Sequence, residues 1–279
     1  SMEENKKKFF ITTKTAITPS KEEIIKKAFT LHSEGNIQEA ANFYQNFIDQ
    51  GFNDPAVLSN YGMICRKEGN ITLAKKLYLK SISLYPNFSA SYSNLGFILK
   101  DENDLKGALK YIQKAIDLNP NFAEAHYNLG NVLKDLGKLK EAELSTRRAI
   151  DFNPNLAIAN SNLGNILIDL GKSEEAIIYL RKAVELKPEV EKTVQSLGIH
   201  LSLEGKYELA LKYLNKNKSN SSQSLYLGCL LSLDKEKEFN EKYKELSEKK
   251  ICNADIGGIV EHAKIIYGNQ YESNFCNEA

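Results

Sequence analysis

The chain has 279 residues, of which 42% are hydrophobic and 26% charged, a globular composition that excludes a disordered tail or a membrane bundle. Lysine and arginine number 37 and aspartate and glutamate 36, which argues against a nucleic-acid partner, since such partners are normally held by a basic excess. The four cysteines are scattered without a CxxC pair, so they favour neither a disulfide framework nor a zinc site and fit a reducing, cytoplasmic setting.

The first twenty residues are predicted to be a flexible segment. They begin with Ser-Met, which is typical of a cloning remnant, and the lysine run at 6–8 is followed by only three apolar residues. A signal peptide needs an apolar core of roughly 7–15 residues, so none is expected. Nowhere do about 18 apolar residues run together, so no membrane-spanning helix is expected either.

From residue 21 onward the sequence repeats itself. The segments SNLGFILKDEND, YNLGNVLKDLGK and SNLGNILIDLGK begin at residues 93, 127 and 161, and looser copies lie upstream and downstream. The repeated glycines are 34 residues apart, at Gly62, Gly96, Gly130, Gly164 and Gly198. A fixed period of this length is typical of stacked repeat proteins. The predicted repeats are 21–54, 55–88, 89–122, 123–156, 157–190 and 191–224.

Each repeat is predicted to be a helix, a tight turn and a second helix. Apolar residues recur at helical spacing on both sides of a glycine or asparagine, the residues that tolerate the left-handed conformation after a helix. These turn residues are Gly35, Gly69, Asn103, Gly137, Gly171 and Gly205. In four repeats the second helix is expected to stop before a proline, which cannot continue it: Pro86, Pro120, Pro154 and Pro188.

Small residues mark the place where the two helices of a repeat approach each other. The repeated glycine takes this place in the first helix, and an alanine takes it in the second, at Ala40, Ala74, Ala108, Ala142, Ala176 and Ala210. Leucines of the first helices are predicted to fill the core between them, at Leu95, Leu99, Leu129, Leu133, Leu163, Leu167, Leu197 and Leu201. One helix pair cannot bury its apolar stripe alone, so stacked repeats are expected to share a core.

After residue 224 the period is lost. Gly228 follows Gly198 by only 30 residues, and a strongly charged stretch follows. We expect 225–279 to be an irregular helical cap and tail, with a capping pair at 225–250, because the last unit of a repeat array needs one polar face. Residues 254–267 are predicted to form one more helix. The remainder is interpreted either as a disordered tail or as a cut before a further domain.

The 34-residue period, the Leu-Gly pair, the alanine of the second helix and the closing proline together resemble the tetratricopeptide repeat. The resemblance is clearest over about residues 55–190. It implies an all-α fold, a right-handed superhelical solenoid of stacked helix-turn-helix repeats whose first helices line a concave groove. The pentatricopeptide family, which binds RNA, has a similar helix pair but usually a 35-residue period and a more basic composition.

One face of the first helices carries a row of polar residues. Directly before the Leu-Gly pair it holds four asparagines, at Asn60, Asn94, Asn128 and Asn162. Residues three and four apart share a helix face, so it continues through Asn131, Asn165, Lys100, Lys134, Asp101, Asp135 and Asp169.

An asparagine amide both donates and accepts, so a row of amides can hold the main chain of an extended peptide. For this role we expect the four asparagines to face solvent in the free protein. The alternative is that they bond the neighbouring repeat and serve only the fold.

Two kinds of groove known in this family are compared with this face. The asparagine row resembles the repeat region of O-linked N-acetylglucosamine transferases, which implies a grip on extended peptides. The carboxylate clamp of co-chaperones is matched only by Asn131, Asn162 and Lys192. Tyr127 and Ser196 stand where that clamp has cations, so charge-assisted bonding to a carboxylate would be weak.

No arrangement of catalytic residues is recognisable. The four histidines lack metal-binding spacing, and neither a phosphate-binding loop nor a nucleophile motif occurs. Cys65 replaces a core leucine and is expected to be a buried, inert thiol.

We therefore expect a non-catalytic, cytoplasmic scaffold that binds an extended segment of a protein or peptide partner. No cofactor, metal, nucleic acid or membrane partner is expected. One alternative is the substrate-recruiting arm of a larger enzyme, such as a transferase or oxygenase, with a catalytic domain after residue 279. Another is a structural spacer or a homo-oligomerisation module.

Overall fold

The computed structural model describes residues 19–251, 253–268 and 270–271, and every regular element in these ranges is an α-helix. The prediction of an all-α fold of helix-turn-helix repeats is confirmed. Its right-handed superhelical course stays a prediction. The segment expected to be flexible, 1–20, lies outside the described residues apart from Pro19 and Ser20. None of the described helices combines the length and the apolar character that crossing a membrane requires.

The chain divides into two compact units between Ile98 and Leu99. The helices of the first unit are α1 (Lys21–Ser33), α2 (Ile37–Asp49), α3 (Pro55–Lys67), α4 (Ile71–Leu84) and most of α5 (Ser89–Asp101). Ser20 begins α1 with reciprocal hydrogen bonds, because its main-chain amide donates to Glu23 and its hydroxyl accepts from the amide of Glu23. The core of this unit is built around Tyr44 and Phe47, which are fully buried.

The second unit continues the helix pairs. Its helices are α6 (Leu105–Leu118), α7 (Ala123–Asp135), α8 (Leu139–Phe152), α9 (Ala157–Asp169), α10 (Ser173–Leu186), α11 (Glu191–Leu203), α12 (Tyr207–Leu214), α13 (Asn220–Ser232), α14 (Glu236–Glu248) and α15 (Ala254–Tyr267). A large apolar cluster joins α10 to α15 and includes Leu180, Tyr213 and Phe239. The C-terminal helices are therefore part of the same packed core as the repeats before them.

The predicted repeats from 21 to 190 each enclose one helix pair, and four second helices end two residues before their proline. The sixth repeat differs, because α12 has only 8 residues. Ser219 then begins α13, accepting a hydrogen bond from the amide of Ser222 at 3.2 Å. The repeat boundary predicted at residue 224 is therefore wrong, since it falls inside α13. The short α12 explains why Gly228 follows Gly198 by fewer than 34 residues.

The turns inside the repeats have the backbone conformation that the sequence predicts. The five turn glycines have φ between 70° and 85°, and Asn103 has φ of 64°. Asp234 and Lys250, which follow α13 and α14, take the same left-handed conformation with φ of 55° and 52°. The turns after these two helices therefore have the same left-handed conformation as the turns inside the repeats, although an aspartate and a lysine adopt it in place of glycine or asparagine.

The close approach of paired helices is also confirmed. The six alanines of the second helices have no solvent exposure. A Cβ atom on Gly164 would lie 2.6 Å from Cγ of Leu180, and one on Gly198 would lie 2.7 Å from Cδ2 of Leu214, so no side chain fits there. Of the eight predicted core leucines, all are buried except Leu99 and Leu129, which are half-buried.

An ion-pair network joins the second helices of two successive repeats, α8 and α10. Arg147 donates to Glu143 at 3.0 Å and to the hydroxyl of Tyr179 at 2.9 Å, and it also pairs with Glu175. Lys172 donates to Glu143 at 3.0 Å. Burial raises the pKa of the Glu143 carboxyl, but the hydrogen bonds from Arg147 and Lys172 outweigh it and hold that pKa below its ordinary value.

Replacing Glu143 by glutamine is expected to destabilise the second unit by about 1 kcal/mol at neutral pH, because Arg147 and Lys172 lose the negative charge of their shared hydrogen-bond acceptor. A carboxyl with a lowered folded-state pKa stabilises the fold above its unfolded pKa and loses that effect as the pH falls through the folded-state pKa. The difference between wild type and variant should therefore shrink as denaturation is repeated at increasingly acidic pH. The matched control is Glu141→Gln on the same helix, whose exposed side chain should change the free energy of unfolding at neutral pH by no more than about 0.5 kcal/mol.

Candidate functional site

In the first unit, both asparagines of the predicted row bond the preceding repeat. The amide nitrogen of Asn60 donates to the hydroxyl of Tyr44 at 3.4 Å, and that of Asn94 donates to the hydroxyl of Ser59 at 3.0 Å. Both asparagines are half-buried. These bonds match the structural role that the sequence left open as the alternative to ligand binding.

In the second unit, the corresponding asparagines are less accessible than the sequence predicts. Asn128 is only 7% exposed. The amide nitrogen of Asn162 is inaccessible to solvent and has no hydrogen-bond partner among the described residues. The expectation that these two amides face solvent is therefore wrong. First helices of neighbouring repeats, such as α7 and α9, contact each other directly, so part of the surface of each is covered.

Other polar residues of the predicted face lie further along the same helices. Asn131 is half-buried, as Asn60 and Asn94 are, but it has no hydrogen-bond partner within the described ranges, whereas the amide oxygen of Asn165 accepts from the hydroxyl of Ser196 at 3.1 Å. Lys134 is partly exposed, and Asp135 and Asp169 are exposed. We call Asn131, Lys134, Asp135, Asn165 and Asp169 the polar strip.

The charged residues predicted for the groove pair with one another from repeat to repeat. Lys134 lies 3.4 Å from Asp169 of the next repeat, and Lys100 lies 3.8 Å from Asp135 in the same way. Lys100 also pairs with Asp101 at 3.1 Å. Partly exposed ion pairs contribute only about 0–1 kcal/mol, so a ligand with matching groups can replace them at little cost.

A cavity of about 600 Å³ adjoins the polar strip at Asn165. It lies between the start of α9, the end of α10 and the start of α11, and its apolar lining includes Ile158 and Val190. Sequence reasoning missed it, although one signal was present: both residues are large and apolar yet lie outside the core pattern of the repeat.

Two smaller cavities lie elsewhere. One of about 390 Å³ lies between α11, α13 and α15 and is lined in part by Cys229. The other, of about 360 Å³, lies in the first unit beside Tyr44, where the ring nitrogen Nδ1 of His32 is 2.9 Å from the tyrosine hydroxyl. Ser33 also lines the second cavity, but its hydroxyl donates to the main-chain carbonyl of Thr30 at 2.8 Å and not to His32. In the first cavity the described partner of the Cys229 thiol is the hydroxyl of Ser202 at 3.3 Å.

Two cysteines and one histidine that could act as nucleophile or metal ligand are part of the core. Cys65 and Cys229 are buried, and burial raises the pKa of both thiols, so they are poor nucleophiles. His126 is buried, and its Nε2 donates to the carbonyl oxygen of Pro120 at 2.7 Å. Within the described ranges no three His, Cys, Asp or Glu side chains are grouped for a metal ion.

Comparison with solved structures identifies relatives in fold. A structure from the functional characterisation of pilF of Pseudomonas aeruginosa is 17% identical, with a TM-score of 0.61, and the match covers 75% of this chain and 97% of that one. TTC0263, a thermophilic tetratricopeptide repeat protein of Thermus thermophilus, is 20% identical, with a TM-score of 0.56 and coverage of 66% and 100%. At these identities the likeness concerns the fold alone. A search of curated proteins found no match to this chain.

Comparison with family models identifies the repeat itself. Models described as the tetratricopeptide repeat match residues 55–88, 77–110, 123–156 and 157–190, and a further model described as a TPR repeat matches 98–137. Three of these matches coincide with repeats defined by the 34-residue period and by the helix bounds. The chain therefore belongs to the tetratricopeptide repeat family.

Proposed function

We propose that the protein is a non-catalytic interaction scaffold and that the polar strip of its second unit binds an extended segment of a protein or peptide partner. The family membership supports an interaction role, and the polar strip is the observation that carries the more specific proposal. Its side chains are accessible, they recur at the same place in successive repeats, and they include the unpartnered amide of Asn131.

The spacing of the helices fits an extended peptide. Helices that pack side by side have axes about 8–10 Å apart. An extended chain advances about 3.3 Å per residue, so roughly three peptide residues correspond to one repeat. The amide of Asn131 can then donate to a peptide carbonyl and accept from a peptide N–H, while Asn165 offers its amide nitrogen one repeat further on.

The ion pairs beside these amides add a second kind of recognition. Lys134 and Asp169 neutralise each other in the free protein, and Asp135 pairs in the same way with Lys100, which lies outside the strip. A charged side chain of a bound peptide can replace one partner of such an ion pair. The exchange leaves the affinity almost unchanged, but it favours peptides that carry a particular charge at that place.

The test is a peptide selection with the whole chain, followed by affinity measurements on the double variant Asn131→Ala/Asn165→Ala. Each lost neutral hydrogen-bonding side chain is worth about 0.5–1.5 kcal/mol, so the double variant should bind selected peptides roughly five- to 150-fold more weakly. Its melting temperature should fall by only about 2–4 °C, because Asn131 has no hydrogen-bond partner among the described residues and Asn165 loses a single neutral bond, the one from Ser196.

The matched control is Gln113→Ala, which removes an exposed amide from the second helix α6. It should leave peptide affinity unchanged. Equal affinity of wild type, control and double variant for every selected peptide would contradict the proposal.

A reducing, cytoplasmic location fits this function. The described cysteines with free thiols, Cys65 and Cys229, are buried, and a reducing compartment keeps such thiols unmodified. The burial of these free thiols is the observation that supports this location. Cell fractionation with an antibody against the chain tests the location.

A further inference from the structure

The cavity beside the polar strip has an apolar lining that is open to a ligand. Ile158 is 53% exposed and Val190 is 41% exposed, although both are large aliphatic residues. Leu156 and Ala157 extend this lining. Exposed apolar side chains gathered in a concave site are typical of a binding pocket, whereas scattered ones on a convex surface are ordinary.

The size of the cavity suits a side chain together with part of its main chain. A cavity of roughly 150 Å³ already holds a benzene ring. The cavity here, of about 600 Å³, is several times larger. It can therefore accept a bulky apolar side chain with its flanking backbone.

The charges on the cavity wall are of one sign. Lys187 and Lys192 line it, both are exposed, and neither forms an ion pair with another described residue. Among those residues no carboxylate lines the cavity. Glu191 is the first residue of α11 and is not part of the lining, and its carboxylate accepts a hydrogen bond from Gln195 at 2.6 Å. The site is therefore complementary to a negative charge next to an apolar group.

The cavity is continuous with the polar strip. Asn165 belongs to both, so a peptide held by the strip passes the opening of the cavity. The hydroxyls of Ser161 and Thr193 lie 3.0 Å apart and join α9 to α11 across it, which fixes its width. A pocket that is formed before the ligand binds loses less entropy on binding.

We infer that this cavity is the specificity pocket of the scaffold and takes a bulky apolar side chain that has an aspartate or glutamate beside it in an extended peptide. The inference rests on the proposed function, since it assigns the partner class at the same binding face. The polar strip holds the peptide main chain, and the pocket selects which sequence is held.

The test compares two isoleucine variants of the whole chain on peptides selected from a display library. Ile158→Lys places a charge in the pocket, and Ile178→Lys places the same charge on α10, where Ile178 is 63% exposed and lies outside the lining. Ile158→Lys should weaken the binding of selected peptides about tenfold or more, because their apolar anchor loses its pocket. Ile178→Lys should leave their affinity within about twofold of that of wild type. Val190→Lys repeats the test from the other wall, and thermal melts confirm that each variant is folded.

A charge swap tests the lysines separately. Lys192→Glu should lower the affinity for acidic peptides a few-fold at low salt. A peptide whose acidic residue is replaced by lysine should bind this variant with recovered affinity. Lys182→Glu on α10 is the matched control, because Lys182 is exposed and outside the pocket.

The outcomes separate this inference from the proposed function. If selected peptides depend on Asn131 and Asn165 but bind both isoleucine variants equally, the pocket is not used and the inference is overturned while the proposed function stands. The same holds if the selected peptides lack a shared apolar and acidic pair. If the whole chain selects no peptide at all, the proposed function fails and the pocket assignment fails with it.

Discussion

Replacing Phe239 by alanine is expected to lower the free energy of unfolding of the second unit by about 3–5 kcal/mol, the usual cost of removing a buried aromatic ring. Phe239 lies on α14 and has no solvent exposure. Its ring packs edge-on against Tyr267 and Tyr271, with centroids 5.9 Å and 5.4 Å away. The truncation leaves a cavity among these rings and loosens the contact between α14 and the end of α15.

Hydrogen exchange measures where this loss occurs. In a repeat protein each unit contacts mainly its neighbours, so the amides of α13 to α15 should lose protection while those of α7 to α9 keep it. The control is Phe152→Ala on α8, where the ring is 44% exposed and its removal should cost about 1 kcal/mol or less. Equal unfolding energies for the two variants would show that the C-terminal helices do not pack as described.

Replacing Ala142 by leucine is expected to destabilise the second unit by about 1–3 kcal/mol, because it adds volume where two helices are closest. Ala142 has no solvent exposure, and its carbonyl oxygen would lie 3.3 Å from a Cβ atom on Gly130 of the facing helix. The same oxygen accepts from the hydroxyl of Thr146 at 2.8 Å, so displacing α8 also strains this bond.

Lys140→Leu is the control for this variant, since it adds the same side chain at an exposed position of the same helix. In urea denaturation, the free energy of unfolding of this control should lie within about 0.5 kcal/mol of the wild-type value. If the two leucine variants unfold at the same urea concentration, the pairing of α7 with α8 through Gly130 and Ala142 is wrong.

The repeat architecture could be predicted because its determinants are local and recur. A glycine or asparagine with positive φ, a proline two residues after a helix and an alanine at the helix contact each act within one repeat. The sixth repeat could not be predicted in the same way. It has no closing proline, and α12 ends at Leu214 because Ser219 caps the next helix instead.

The binding face was only partly predictable, because exposure depends on how repeats pack on each other. The sequence places Asn128 and Asn131 on one helix face, but in the structure Asn128 is buried and Asn131 is only half-buried. The pairing of Lys134 with Asp169 joins two repeats and likewise follows from stacking. The cavity at Ile158 is bordered by three helices from two repeats, so it also depends on how the repeats stack.

Contact between the polar strip and a bound peptide can be measured directly on the side-chain amide resonances of the strip. The NH₂ signals of Asn131 and Asn165 can be assigned in the ¹⁵N-labelled protein from their loss in the alanine variants. During titration with a selected peptide, both should shift along the same binding curve, while the NH₂ signals of Gln113 on α6 should stay in place. A peptide that binds tightly and shifts the signals of Gln113 but not those of Asn131 and Asn165 would contradict the account.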